Sequence, residues 1–161
     1  MSTSKVKEKE QEILNKVRDL LEHSQVVHEL FKRFQVPLDK LFSVPMEFKD
    51  LDVSAKTKDK KIYLNSMLLD DDEYFTEHMH YVVHELCHFL QQITNEVERY
   101  KSLDDIGYLD LPTEVEAFSY QIKFIEEFYG PAKAKQYLKD LLDFHEYEGK
   151  ARDRKSHELL D

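Results

Sequence analysis

The sequence predicts an α+β fold, mostly helical, with one small antiparallel or mixed sheet packed on a central helix. Three observations lead there. Only 3 Gly and 4 Pro occur in 161 residues, too few for the frequent turns of an all-β sandwich. Apolar residues recur at helical spacing over most of the chain, and only between residues 46 and 65 does the period shorten. A 41% apolar content with 10 Phe and 9 Tyr is enough for one well-filled core. The organisation expected is a single domain over residues 1–149, with a core at 46–130, and a polar tail over 150–161.

From Lys5 to Phe34 the apolar positions Ile13, Leu14, Val17, Leu20, Leu21, Val27, Leu30, Phe31 and Phe34 predict a long N-terminal helix. A polar patch from Glu22 to Gln25 is the place for it to bend or break. Pro37 and Pro45 bracket a connection. The stretches MEFKDLDV (46–53) and KIYLN (61–65) read as two short strands, with the lysine-rich AKTKDKK between them as a hairpin turn that also guards a sheet edge. Acidic residues Asp70 to Glu73 suit the positive end of a helix running from Tyr74 to Asn95. After a loop containing Gly107 and Pro112, a helix from Thr113 to Tyr129 stops at Gly130-Pro131. A last helix is expected from Pro131 to Tyr147, and the tail from Lys150 reads as frayed.

The formal charge of −10 makes a poor ligand for phosphate polymers or anionic membrane, and tolerates a basic protein partner. The single cysteine, Cys87, allows no internal disulfide and reads as a buried thiol in a reducing compartment. No apolar run reaches 18 residues, and the first residues lack the apolar stretch of a secretory signal. A cytoplasmic protein is expected.

Residues 84–88 read His-Glu-Leu-Cys-His. On a helix, residues i and i+4 lie one turn apart on one face, so His84 and His88 can reach one zinc ion. Glu85, about 100° round the helix, can reach a water there without ligating the metal. On the helical wheel Glu77, His80, Tyr81, His88, Gln91 and Asn95 fall near His84, while Met79, Val82, Leu86, Phe89 and Ile93 point the other way. His80 lies about 12 Å along the axis from His88 and cannot share an ion with both histidines.

A third ligand is expected from Glu114 or Glu116. Glu114 is favoured because it heads an inward line through Phe118, Gln121, Ile125 and Phe128. Glu116 heads an outward line and completes a Thr113-x-x-Glu116 capping pattern, unless Asp110 is the cap.

HELCH on a helix, the preceding edge-strand candidate KIYLN and a later helix opening TEVEA together resemble the zincin metallopeptidases of the Glu-ligand (gluzincin) type. The nearest in size are the ImmA/IrrE-type and other minimal bacterial and phage zincins. The resemblance covers residues 46–130. Glu114 precedes Ala117 by three and follows His88 by 26, similar to the E-x-x-A-N or E-x-x-A-D patterns of such families. Phe118 stands where they carry Asn or Asp, and their proline-ended motif is replaced by SYQIKFIEEFYG.

The resemblance implies one zinc on His84, His88 and Glu114, with Glu85 as general base on a zinc-bound water, hydrolysing a protein or peptide substrate, a basic regulator being one option. It also implies that the strand near Lys61–Asn65 pairs with the extended substrate. A transition-state donor is sought among Tyr108, Tyr120 and His145, and supporting roles fall to His80 and Gln91. The alternatives are a zincin-like domain that binds metal or protein without cleaving, and a helical adaptor in which HELCH has no role.

Overall fold

The computed structural model describes residues 3–96 and 108–160, so Gly107 of the expected loop lies outside the described residues. Helix α1 (Thr3–Glu22) buries Ile13, Val17 and Leu21, a stripe at intervals of four. It does not continue to Phe34. Ser24 adopts an extended conformation and accepts a hydrogen bond from the Val27 amide, capping a separate helix α2 (Gln25–Arg33). The long helix expected over 5–34 is therefore two, divided at the polar patch. The new direction is fixed by Glu127, which accepts from the Ser24 hydroxyl and, at 2.8 Å, from the Gln25 amide.

Three strands follow: β1 (Met46–Lys49), β2 (Ala55–Lys58) and β3 (Lys61–Asn65), in the spatial order β1-β3-β2. β1 runs parallel to β3 with Met46 opposite Ile62, and β2 runs antiparallel to it with Thr57 opposite Ile62. This corrects the sequence reading in three ways. AKTK is a strand rather than a turn, β1 ends at Lys49, and β3 is the central strand, hydrogen-bonded on both sides. The hairpin turn shrinks to Asp59-Lys60, both at positive φ (51° and 62°), as a two-residue hairpin turn requires. In β2 the lysines masked the period: Ala55 is buried and Thr57 half-buried, while Lys56 and Lys58 face water.

A short helix α3 (Met67–Asp70) leads into α4 (Asp72–Ile93), which Asp71 caps by accepting from the amides of Glu73 and Tyr74 at 3.0 and 3.1 Å. Met79, Val82, Leu86 and Phe89 join α1, α2 and the sheet in the larger apolar cluster. The opposite face of α4, which carries the histidines, is covered by α5 (Pro112–Tyr129).

Pro112 opens α5 at its first position, where its missing N–H costs nothing. Leu111 precedes it and no side chain caps it, so neither the Thr113–Glu116 capping box nor an Asp110 cap forms. Gly130, at φ 100°, ends α5 and turns the chain into α6 (Pro131–Phe144). The polar tail is folded. Residues 149–160 form helix α7 (Gly149–Leu160), which buries Leu159 in a second apolar cluster with Leu109, Phe118, Ile122, Ile125, Leu138 and Leu142. Lys155, also buried, donates to the Leu109 carbonyl and Asp110 at 2.7 Å each and to Glu158 at 3.2 Å. The tail's charged residues hid this, because a buried ion-paired lysine looks the same in a sequence as a solvated one. No helix among the described residues is long and apolar enough to cross a membrane.

Candidate metal centre

His84 and His88 stand one turn apart on α4 with their Nε2 atoms 3.2 Å from each other. Glu114, in the first turn of α5, places Oε1 3.0 Å from both. Three donor atoms thus form a nearly equilateral triangle with edges of 3.0–3.2 Å. In tetrahedral zinc with bonds of about 2.0–2.1 Å, the edge between two ligand atoms is about 3.3 Å.

The hydrogen bonds behind the imidazoles fix what the triangle presents. Gln121 accepts at Oε1 from His84 Nδ1 at 2.8 Å, and its own amide Nε2 donates to His80 Nδ1 at 2.8 Å. Gln91 accepts at Oε1 from His88 Nδ1 at 2.8 Å and donates through Nε2 to the Thr113 carbonyl at 3.0 Å and to Glu116 at 3.2 Å. With both Nδ1 atoms donating, each neutral ring turns the lone pair of Nε2 toward the Glu114 carboxylate. Three electron-rich atoms this close repel unless a cation or a proton lies among them. The donor set, two imidazoles and a carboxylate, is one that zinc takes.

Without an ion, a proton serves instead. Burial disfavours charge on His88, but the hydrogen bond and charge of Glu114, the charge of Glu85 and the Gln91 bond raise it to about 9. Burial also works against an ionised Glu114, yet the hydrogen bond and charge of a protonated His88 hold its carboxyl well below the usual range.

Glu85 brings its carboxylate within 4.8 Å of the ligand nitrogens of His84 and His88. Glu114 is closer and completes the triangle, whereas Glu85 leans toward the sheet. There its Oε1 accepts from the Thr57 hydroxyl of β2 at 3.0 Å. His84 and Glu85 line one cavity of about 410 Å³, walled by Val53, Ala55, Tyr74, Tyr81, Tyr108 and Phe118. The ring of Phe118, where the resembled families carry Asn or Asp, packs edge-on against His84 at 4.4 Å. Gln121, one turn further along α5, makes the polar contact to His84.

The remaining candidates separate clearly. His80 is buried between Tyr81 and Tyr137, and burial first, then its His78 neighbour, pulls it down to about 4, so it stays neutral. It steadies Gln121 and touches no ligand atom of the triangle. Tyr108 lines the cavity; burial, then the charge and hydrogen bond of Glu114, push its phenol above the ordinary tyrosine value. His145 stacks on Tyr108 at 5.7 Å and does not line the cavity. Tyr120 lines a different cavity, with Arg33, Glu116 and Lys123, and is not brought to the triangle. Glu116 is held by Arg33 Nε at 2.8 Å and by Gln91 Nε2 at 3.2 Å rather than by the expected cap. Cys87 is buried and free, and its thiol is pushed well up by burial and by Glu116.

Thr57 and the supporting role of Gln121 were not foreseen. Gln121 left a signal, a polar residue on an otherwise inward-facing line. Thr57 left none, because its strand was read as a turn. Comparison with protein-family models, with curated proteins and with solved structures finds no match.

Proposed function

We propose that the protein is a zinc-dependent peptidase, with His84, His88 and Glu114 holding the ion and Glu85 acting as general base. The observation that carries this reading is the triangle of donor atoms with both histidine tautomers fixed by glutamine carbonyls. Bound there, zinc would polarise a peptide carbonyl and acidify a water into the neutral range. Glu85 takes the proton from the attacking water on its carboxylate and returns it to the departing amine nitrogen. Gln121 and Gln91 keep the Nε2 electron pairs directed inward throughout. Tyr108, which lines the same cavity as His84 and Glu85, is the donor for the developing oxyanion. Tyr74, Tyr81 and Phe118 exclude water from the cavity wall.

The substrate in this reading is an extended protein segment, and the net charge of −10 favours a basic one. It pairs with β2, whose second edge has no strand partner among the described residues, rather than with β3 as the sequence suggested. The lone reduced cysteine suits a cytoplasmic setting.

Elemental analysis of protein purified without chelator tests the metal. We expect about one zinc per chain, with Glu85→Gln keeping it and Glu114→Gln losing it. On a labelled lysine- and arginine-rich protein, Glu85→Gln should fall by about a thousandfold or more while still loaded. Failure to take up zinc overturns the proposal, and a loaded protein equally active as Glu85→Gln overturns the assignment of the base.

A further inference from the structure

Glu85 is a long, flexible side chain, and a general base works only when its carboxylate is held in line with the proton it takes. Among the described residues, Thr57 supplies the one hydrogen bond to that carboxylate, at 3.0 Å. The same hydroxyl lies 2.9 Å from the main-chain carbonyl of Glu85. It has one proton and two acceptors on a single residue, so rotation about Cβ–Oγ serves either. The hydroxyl is thus shared between the carboxylate and the main chain of the residue it positions.

Thr57 faces inward from β2, and Ala55, two residues away, lines the cavity beside His84 and Glu85. The far side of β2 is without a strand partner among the described residues. We propose that Thr57 is a positioning residue that aims Glu85. This rests on Glu85 being the base.

The test is a double-mutant cycle on Co(II)-loaded protein, titrated with acetohydroxamic acid and followed by the visible spectrum of the metal. The hydroxamate places a hydroxyl where the base would take a proton, so it reports the aim of Glu85 without a natural substrate. Thr57→Val keeps the β-branched shape and removes the donor; it should weaken hydroxamate binding about tenfold. Thr57→Ser should restore it to within about twofold, as its hydroxyl has the same donor capacity. In a Glu85→Ala background, which leaves Thr57 no side chain to hold, the Val substitution should change nothing further. On the same labelled basic protein, Thr57→Val should lower kcat and leave KM unchanged, with Ser restoring kcat.

Equal weakening by Thr57→Val in both backgrounds would show an effect that bypasses Glu85 and overturn the proposal. Unchanged hydroxamate binding in Thr57→Val, with Glu85→Ala weakened, would overturn it while leaving the base in place. Unchanged binding in Glu85→Ala would remove the base, and the role of Thr57 with it. Failure to take up cobalt would remove the metal centre and everything built on it.

Discussion

His88 and Glu114 oppose each other across 3.0 Å, and in the ion-free protein that contact links stability to pH. The folded state raises His88 from its usual 6.5 to about 9, so its contribution is full below pH 6.5 and is lost as pH rises through about 9. Glu114 is shifted down from its usual 4.5, so its contribution is present above that pH and is lost as pH falls. The stripped protein should be most stable between about pH 4.5 and 6.5, as far as this pair decides it. Thermal unfolding of metal-free protein should show Tm falling between pH 6.5 and 9. His88→Asn should flatten that limb, and an equally steep decline in the variant would mean that the pair does not carry it. The spacing of His84 and His88 was readable in the sequence because one helical turn dictates it. Glu114 was readable only as the better of two acids. Its rival Glu116 was disfavoured by an outward-facing line and by a cap that does not form, whereas the Arg33 contact that occupies it joins residues 83 positions apart and no local pattern announces it.

At the scale of elements, long periodic helices were legible and short polar ones were not. The α4 boundaries differ from the sequence reading by two residues at each end, because the apolar stripe and the acidic first turn agree. β2 was missed because two of its four residues are lysines that face water and its turn needs only two residues. The break between α1 and α2 was visible as polarity, but its cause was not, since Glu127 lies about 100 residues further along the chain. Ser24 both caps α2 and contacts that carboxylate, so Ser24→Ala should cost about 1–2 kcal/mol in denaturant unfolding. Ser24→Thr should recover most of it. A loss under about 0.3 kcal/mol on Ser24→Ala would mean that α2 is held on α5 by its apolar face alone.

Over the whole molecule, α5 is a shared wall: Ala117 and Phe124 belong to the larger apolar cluster, while Phe118, Ile122 and Ile125 belong to the smaller one with α6 and α7. The sequence indicated the class of fold but not this division, because α7 presents few apolar residues and depends on a buried lysine. Glu114 sits at the start of that wall and the two histidines sit on α4, so an ion held by all three would also be a crosslink. It would close a loop of 26 residues between His88 and Glu114, and tying a loop of that length removes freedom from the unfolded chain worth about 3.5 kcal/mol, as a disulfide would. Zinc would then fasten the smaller cluster to the larger. Chelation should lower Tm by several degrees in the wild type and in Glu85→Gln alike, and leave Glu114→Gln unmoved. The same atoms would thus serve as clasp and as reaction centre, and losing the ion would loosen the molecule as well as silence it.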